Sequence, residues 1–177
     1  MITSKVIKCE LDTDSLDKAI QELEKYRQGL ENKLKMFVDS LINAGVQVAN
    51  IRLSQTVGDS TDANLNFAFG VWNGDIVSAY IELGGKDALF VEFGAGIAYN
   101  TGAQHPLASK YGYGVGTYPS KYGHNRAINP GYWFFRDPPG SKNVVRSIGT
   151  MATMPIYYAA ETMRNNAIMK ATEILAR

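Results

Sequence analysis

Residues 88–96 read Ala-Leu-Phe-Val-Glu-Phe-Gly-Ala-Gly, an apolar run with one acid, Glu92, closed by a glycine turn. A short apolar run bounded by turn residues fits a buried strand. Asp87–Phe93 is therefore expected as the third strand of a sheet whose first two strands lie just upstream. There, Leu65, Phe67, Phe69 and Val71 alternate with Asn64, Asn66, Ala68 and Gly70, the pattern of a half-buried strand. Asn73-Gly74 follows, and Asn-Gly is a strong hairpin signal because both central residues of a type I′ turn need positive φ. Ile76 to Leu83 returns as the second strand, and Gly84-Gly85-Lys86 turns the chain into the third.

Further upstream, Leu16, Ile20, Leu23, Tyr26 and Leu30 fall at helical spacing, and Leu34, Phe37, Leu41, Val48 and Ile51 extend the stripe. Asp12, Thr13, Asp14 and Ser15 offer N-caps. Gly29 and Gly45 each cost a helix roughly 1 kcal/mol relative to alanine. The region thus reads as two helices, Asp14–Gln28 and Leu30–Arg52, or as one bent helix. Lys5–Glu10 reads as a short strand ahead of it.

Downstream, residues 94–131 hold eight glycines and five tyrosines and repeat Ser109-Lys110-Tyr111-Gly112 as Ser120-Lys121-Tyr122-Gly123. This composition reads as a long loop or arm. Tyr132–Phe135 is a fourth strand, ended by Asp137-Pro138-Pro139-Gly140; Val144-Val145 either continues a hairpin or is loop. The last helix opens at Met154-Pro155, with Thr153 as N-cap and Ile156, Ala160, Met163, Ala167, Ala171 and Ile174 on its buried face. The expected fold is α+β, one domain over residues 1–177. A long N-terminal helix or helix pair packs on a mostly antiparallel sheet of about four strands, with a C-terminal helix.

The net charge is +1, but its distribution is uneven: residues 56–93 carry one base against six acids, and residues 94–150 six bases against one acid. Either copies of the chain stack head to tail, or the two regions neutralise each other locally. The single cysteine, Cys9, leaves no internal disulfide and no cysteine metal cluster. No apolar run reaches the roughly 18 residues of a membrane span, and no export signal is expected.

His105 and His124 match no metal spacing and read as surface or loop-packing residues. Glu92 reads as structural, accepting from the amides of the glycine turn or pairing with Arg136 or Arg126. Glu92, Gly94 and Gly96 together form a turn that aims the arm. Cys9 lacks an activating neighbour, and no phosphate-cradling glycine motif occurs. No catalytic, cofactor-binding or metal residues are therefore expected. Contacts are expected from Lys110, Tyr111, Tyr113, Lys121, Tyr122 and Arg126, since tyrosine gives large contact area at low entropy cost. The same basic, tyrosine-rich arm could instead stack on single-stranded nucleic acid. A hydrolase using Glu92 with His105 or His124 is the remaining alternative.

Phe90-Val91-Glu92-Phe93-Gly94-Ala95-Gly96 resembles the signature of a tail-component family from the head–tail neck of long-tailed bacteriophages and prophages. That signature usually ends Glu-Phe-Gly-Thr-Gly; Ala95 stands in for the threonine. Gln104-His105-Pro106, Gly131-Tyr132-Trp133-Phe134 and Met154-Pro155-Ile156-Tyr157-Tyr158-Ala159-Ala160 also resemble members from phages of Gram-positive hosts. In those relatives a Gly-Met-Pro-x-x-Pro-Phe-Met run opens the last helix, where this chain has Thr150–Pro155. The resemblance implies a virion protein of the connector or tail-completion type, assembled in the host bacterial cytoplasm. Its partners would be copies of itself in a ring, with a hexamer among the options, and other neck and tail proteins. Genomic DNA would pass through the channel; no membrane, cofactor or catalytic residue is implied.

Overall fold

The computed structural model describes residues 6, 7, 10, 12–58, 62–96, 104–114, 133–136 and 140–176. Among the described residues four helices and two hairpins follow in order: α1 (Thr13–Ser54), β1 (Asn64–Asn73), β2 (Ile76–Gly84), α2 (Ala88–Phe93), α3 (Ala108–Tyr111), β3 (Trp133–Arg136), β4 (Val144–Ser147) and α4 (Pro155–Leu175). The class is α+β, as the sequence predicts, but the sheet is not one of about four strands. Among the described residues there are two separate antiparallel pairs, β1–β2 and β3–β4. The expected Lys5–Glu10 strand lies mostly outside the described residues, and Val6, Ile7 and Glu10 are in no strand. No helix among the described residues is long and apolar enough to cross a membrane.

Helix α1 is a single element of 42 residues, about 63 Å long, not a pair. The Asp12 carboxylate caps it by accepting from the Ser15 amide at 2.9 Å. Gly29 does not break it, because its cost is small against 41 other residues of one continuous helix. Gly45 has a packing role instead. A Cβ there would lie 2.7 Å from Ile81 Cδ1 and 3.0 Å from Met163 Sδ, so the missing side chain lets β2 and α4 meet on α1.

Helix α4 runs back along α1. The Arg52 guanidinium sits 3.7 Å over the Tyr158 ring, Met163 lies at Gly45, and Lys170 and Ile174 line a groove with Lys33 and Met36. The buried apolar residues are Ile42, Val46 and Ala49 of α1, Ala88 and Val91 of α2, Ala95, Ala108, Met154 and Ala159. The core therefore lies at the C-terminal half of α1 and the start of α4. The face of α4 centres on Ala159, which is buried, and not on Ala160, which is exposed.

The β1–β2 hairpin packs on the same half of α1, in the register Leu65↔Leu83, Phe67↔Ile81 and Trp72↔Val77. The alternation read from sequence is already reversed at Phe67 and Phe69, 42 and 46 % exposed, with Ala68 half-buried and Gly70 buried, and the pairing also carries a bulge between Ala68 and Val71. Val71 is turned outward, 63 % exposed, and Trp72 takes the half-buried side. The bulge aims the Gly70 amide at Asp39 Oδ1 (2.6 Å), and the other Asp39 oxygen pairs with Lys35.

Burial works against the charged form of Asp39, yet the Lys35 ammonium and the Gly70 amide outweigh it and hold the carboxyl below its ordinary value of 3.8. A depressed folded value adds stability that is complete above 3.8 and is lost as pH falls through the folded value. Asp39→Ala is expected to cost about 1–2 kcal/mol at neutral pH and to flatten the acid limb of the stability curve below pH about 4. Urea titrations of both proteins across pH check this.

Candidate functional site

The stretch expected to be the third strand is helix α2, and the reason is visible in its burial. Ala88, Val91 and Glu92 are buried while Leu89 is 50 % exposed, an i, i+3, i+4 pattern rather than an alternation. Of its six residues only Val91 is β-branched. Gly94, at φ +77°, takes over at the end of the helix, and its amide donates to the Phe90 carbonyl at 2.8 Å. Ala95 then exchanges both backbone hydrogen bonds with Thr150, at 2.9 and 3.0 Å, and the Gly114 amide donates to the Gly94 carbonyl at 3.1 Å. The segment that follows α2 is thus held from two sides, by Thr150 and by Gly114.

Glu92 is buried, 8 % exposed, and among the described residues its partners are neither the glycine turn nor Arg136; Arg126 lies outside the described residues. Its Oε2 accepts from the Ile156 amide at 2.9 Å and its Oε1 from the Tyr157 amide at 2.8 Å. These are the free donors of the first turn of α4. Pro155 has no amide to satisfy, and the Tyr158 amide already donates to the Met154 carbonyl at 3.1 Å. The expected N-cap, Thr153, does not serve. Met154 holds that position in the left-handed region (φ 55°, ψ 50°) without a side-chain cap. A carboxylate 64 residues away in sequence caps the helix instead, with its negative charge at the positive end of the helix dipole. The Thr153 and Met154 amides donate to the Val91 carbonyl at 3.0 and 3.4 Å, so α2 holds this helix start by its backbone as well.

His105 completes the cluster. It is buried, its Nδ1 accepts from the Leu107 amide at 3.0 Å, and its Nε2 lies 3.4 Å from Glu92 Oε1. The ring proton therefore sits on Nε2, facing the carboxylate. The ring is gripped edge-on by Phe93 (centroids 4.4 Å apart) and Tyr157 (5.1 Å). Chemically this is a saturated carboxylate: both oxygens carry backbone amides and one also meets the histidine. Among the described residues no three of histidine, cysteine, aspartate and glutamate group as metal ligands.

Of the expected contact residues, Lys110 and Tyr111 lie exposed on α3, with the Lys110 ammonium 5.3 Å from the Tyr111 ring. Tyr113 is half-buried and stacks on Phe93, centroids 5.5 Å apart, so it belongs to the cluster rather than to a free surface. Lys121, Tyr122 and Arg126 lie outside the described residues, as do His124 and Cys9. The arm at 94–131 is therefore not wholly separate from the core, since His105, Ala108 and Gly114 are buried in it. The acidic stretch does not neutralise only against the basic one: Asp62 pairs with Lys86, and Asp75 with Arg27 of α1, each at 3.9 Å.

Sequence reasoning missed the trans-cap. The one signal that pointed to it was the Met154-Pro155 start, a helix opening with no good cap of its own in use. Comparison of the chain with family models, with curated proteins and with solved structures gives no match.

Proposed function

We propose that the chain is a structural virion protein of a long-tailed phage or prophage, a ring subunit that joins head and tail or completes the tail. The observation that supports this best is a convergence. Three segments quoted for the resemblance, around Glu92-Phe93-Gly94, His105-Pro106 and Met154-Pro155-Ile156-Tyr157, meet in one buried joint. They are far apart in sequence, so their meeting supports the resemblance as that of a single structural unit. The joint is a scaffold by its chemistry: the carboxylate has spent its oxygens on holding α4. On this reading function resides in the surfaces that the joint positions, and the protein acts by assembly rather than by catalysis.

Labelling the subunit in particles from the source phage, or from the induced prophage, tests the proposal. Label is expected as a ring at the head–tail junction. Particles that carry no label at the neck or tail end would refute it.

A further inference from the structure

Among the described residues, hairpin β3–β4 packs extensively only on itself, whereas β1–β2 lies along α1. Its register sets Phe134 opposite Arg146 and Arg136 opposite Val144. Directly opposed residues of an antiparallel pair share a face, and so do residues two apart on one strand. Phe134, Arg136, Val144 and Arg146 therefore share one face, and all four are exposed, Phe134 at 49 % and Val144 at 59 %. On that face Phe134 has an arginine on two sides, Arg146 across the ladder and Arg136 further along its own strand. Lys142 adds an exposed cation at the turn.

The charge of this hairpin is of one sign. Residues 138–160 carry Lys142 and Arg146 and no acid; Asp137, beside Arg136, is the only acid in residues 94–160 and lies outside the described residues. Elsewhere cations are answered by acids: Arg27 by Glu31, Arg164 by Glu161 and Lys170 by Glu173. Neither Arg136 nor Lys142 meets an acid among the described residues. Arg136 donates one N–H to the Ser141 carbonyl at 3.2 Å, which steadies the guanidinium and keeps the rest of its fork for a ligand.

An exposed aromatic ring flanked by cations is the chemistry that binds a single nucleic-acid strand. A base stacks on the ring, and the phosphates on either side of it meet the cations. The planar fork of arginine suits phosphate better than a point charge does. The ring separates this occupant from a duplex, which offers its phosphates outside but keeps its bases stacked within.

We infer that the Phe134 face of hairpin β3–β4 binds single-stranded nucleic acid, with a base stacked on Phe134 and neighbouring phosphates held by Arg136 and Arg146. This assignment goes beyond the ring-subunit reading and stands on the hairpin alone.

The test follows fluorescence anisotropy of a labelled oligothymidine, about 12 nucleotides long, with the full chain between about 50 and 200 mM salt. Wild type is expected to bind, more weakly as salt rises. The double variant Arg136→Gln, Arg146→Gln is expected to lower the slope of log affinity against log salt by about 1.4, since each phosphate contact on a single strand contributes about 0.7. Phe134→Ala is expected to weaken binding about tenfold with the slope unchanged, because stacking releases no counterions. Phe134→Trp is expected to restore binding, which separates stacking from folding. Lys18→Gln with Lys25→Gln, on α1, is the control and is expected to leave the slope unchanged.

No binding at the lowest salt overturns the inference, as does a Phe134→Ala protein that binds like wild type. A control that loses as much slope as the arginine pair overturns it too, as does equal affinity for the same strand annealed to its complement. A chain that binds the oligonucleotide yet labels neither neck nor tail end of particles keeps this inference and loses the ring reading. One that labels the neck without binding does the reverse.

Discussion

Glu92→Ala is expected to lower the free energy of unfolding by about 4 kcal/mol, read from urea midpoints followed by circular dichroism. Three losses coincide. Two hydrogen bonds from the Ile156 and Tyr157 amides to a charged acceptor disappear, each of a kind that contributes about 1.5–3 kcal/mol. The amides stay behind in a part-buried site with no substitute cap, because Met154 offers none. His105 loses the acceptor facing its Nε2 while remaining 6 % exposed. Against a typical domain stability of about 5–15 kcal/mol this is a large fraction. Glu92→Gln separates charge from shape: it keeps one acceptor and loses the interaction with the helix dipole, so a cost of about 2 kcal/mol is expected. A loss below about 1 kcal/mol for Glu92→Ala would show that α4 does not depend on the trans-cap.

The second large effect is expected at Gly149, a position with no chemistry of its own. Its φ is +92°, and a Cβ there would lie 2.3 Å from the Ala95 carbonyl oxygen and 3.1 Å from Gly96 Cα. The obstacle is backbone, so it cannot turn aside. Moving it means breaking the paired Ala95–Thr150 hydrogen bonds that hold the end of α2 to the approach of α4. Gly149→Ala is expected to cost about 3 kcal/mol, through positive-φ strain plus the displaced backbone pair. A thermal melt and hydrogen exchange at Ala95 and Thr150 measure it. Gly140→Ala is the control, because φ there is +82° but a Cβ would meet nothing within 4 Å, so only the strain remains.

The elements with strong periodicity were legible from the residues. The stripe of α1, the Asn73-Gly74 hairpin and the Met154-Pro155 helix start all stand where local chemistry puts them. The stretch 88–93 was misread because a six-residue apolar run has the same composition in a buried strand and in a short helix. Tertiary context decided it: with Glu92 directed at α4, Ala88, Val91 and Glu92 bury together on one helical face. The long stripe misled in another way. Periodicity shows that a face is apolar, not what covers it, and Leu16 to Leu30 lie outside the core while Ile42, Val46 and Ala49 form it. Of the site, sequence singled out Glu92 as a carboxylate with a structural role, but not its place in α2 or its partners on α4. It could not find the cap, because a contact between residues 92 and 156 leaves no local trace in either segment.

The pairing of α1 with α4 also fixes an order of events during synthesis. The two helices join opposite ends of the described chain, and the glutamate that starts α4 precedes it by 64 residues. Long-range closures of this kind wait for the whole intervening loop. Until α4 emerges from the ribosome, Ile42, Val46 and Ala49 lack the helix that packs along α1. The nascent protein therefore presents one long amphipathic helix whose apolar stripe still lacks α4 for most of its time on the ribosome.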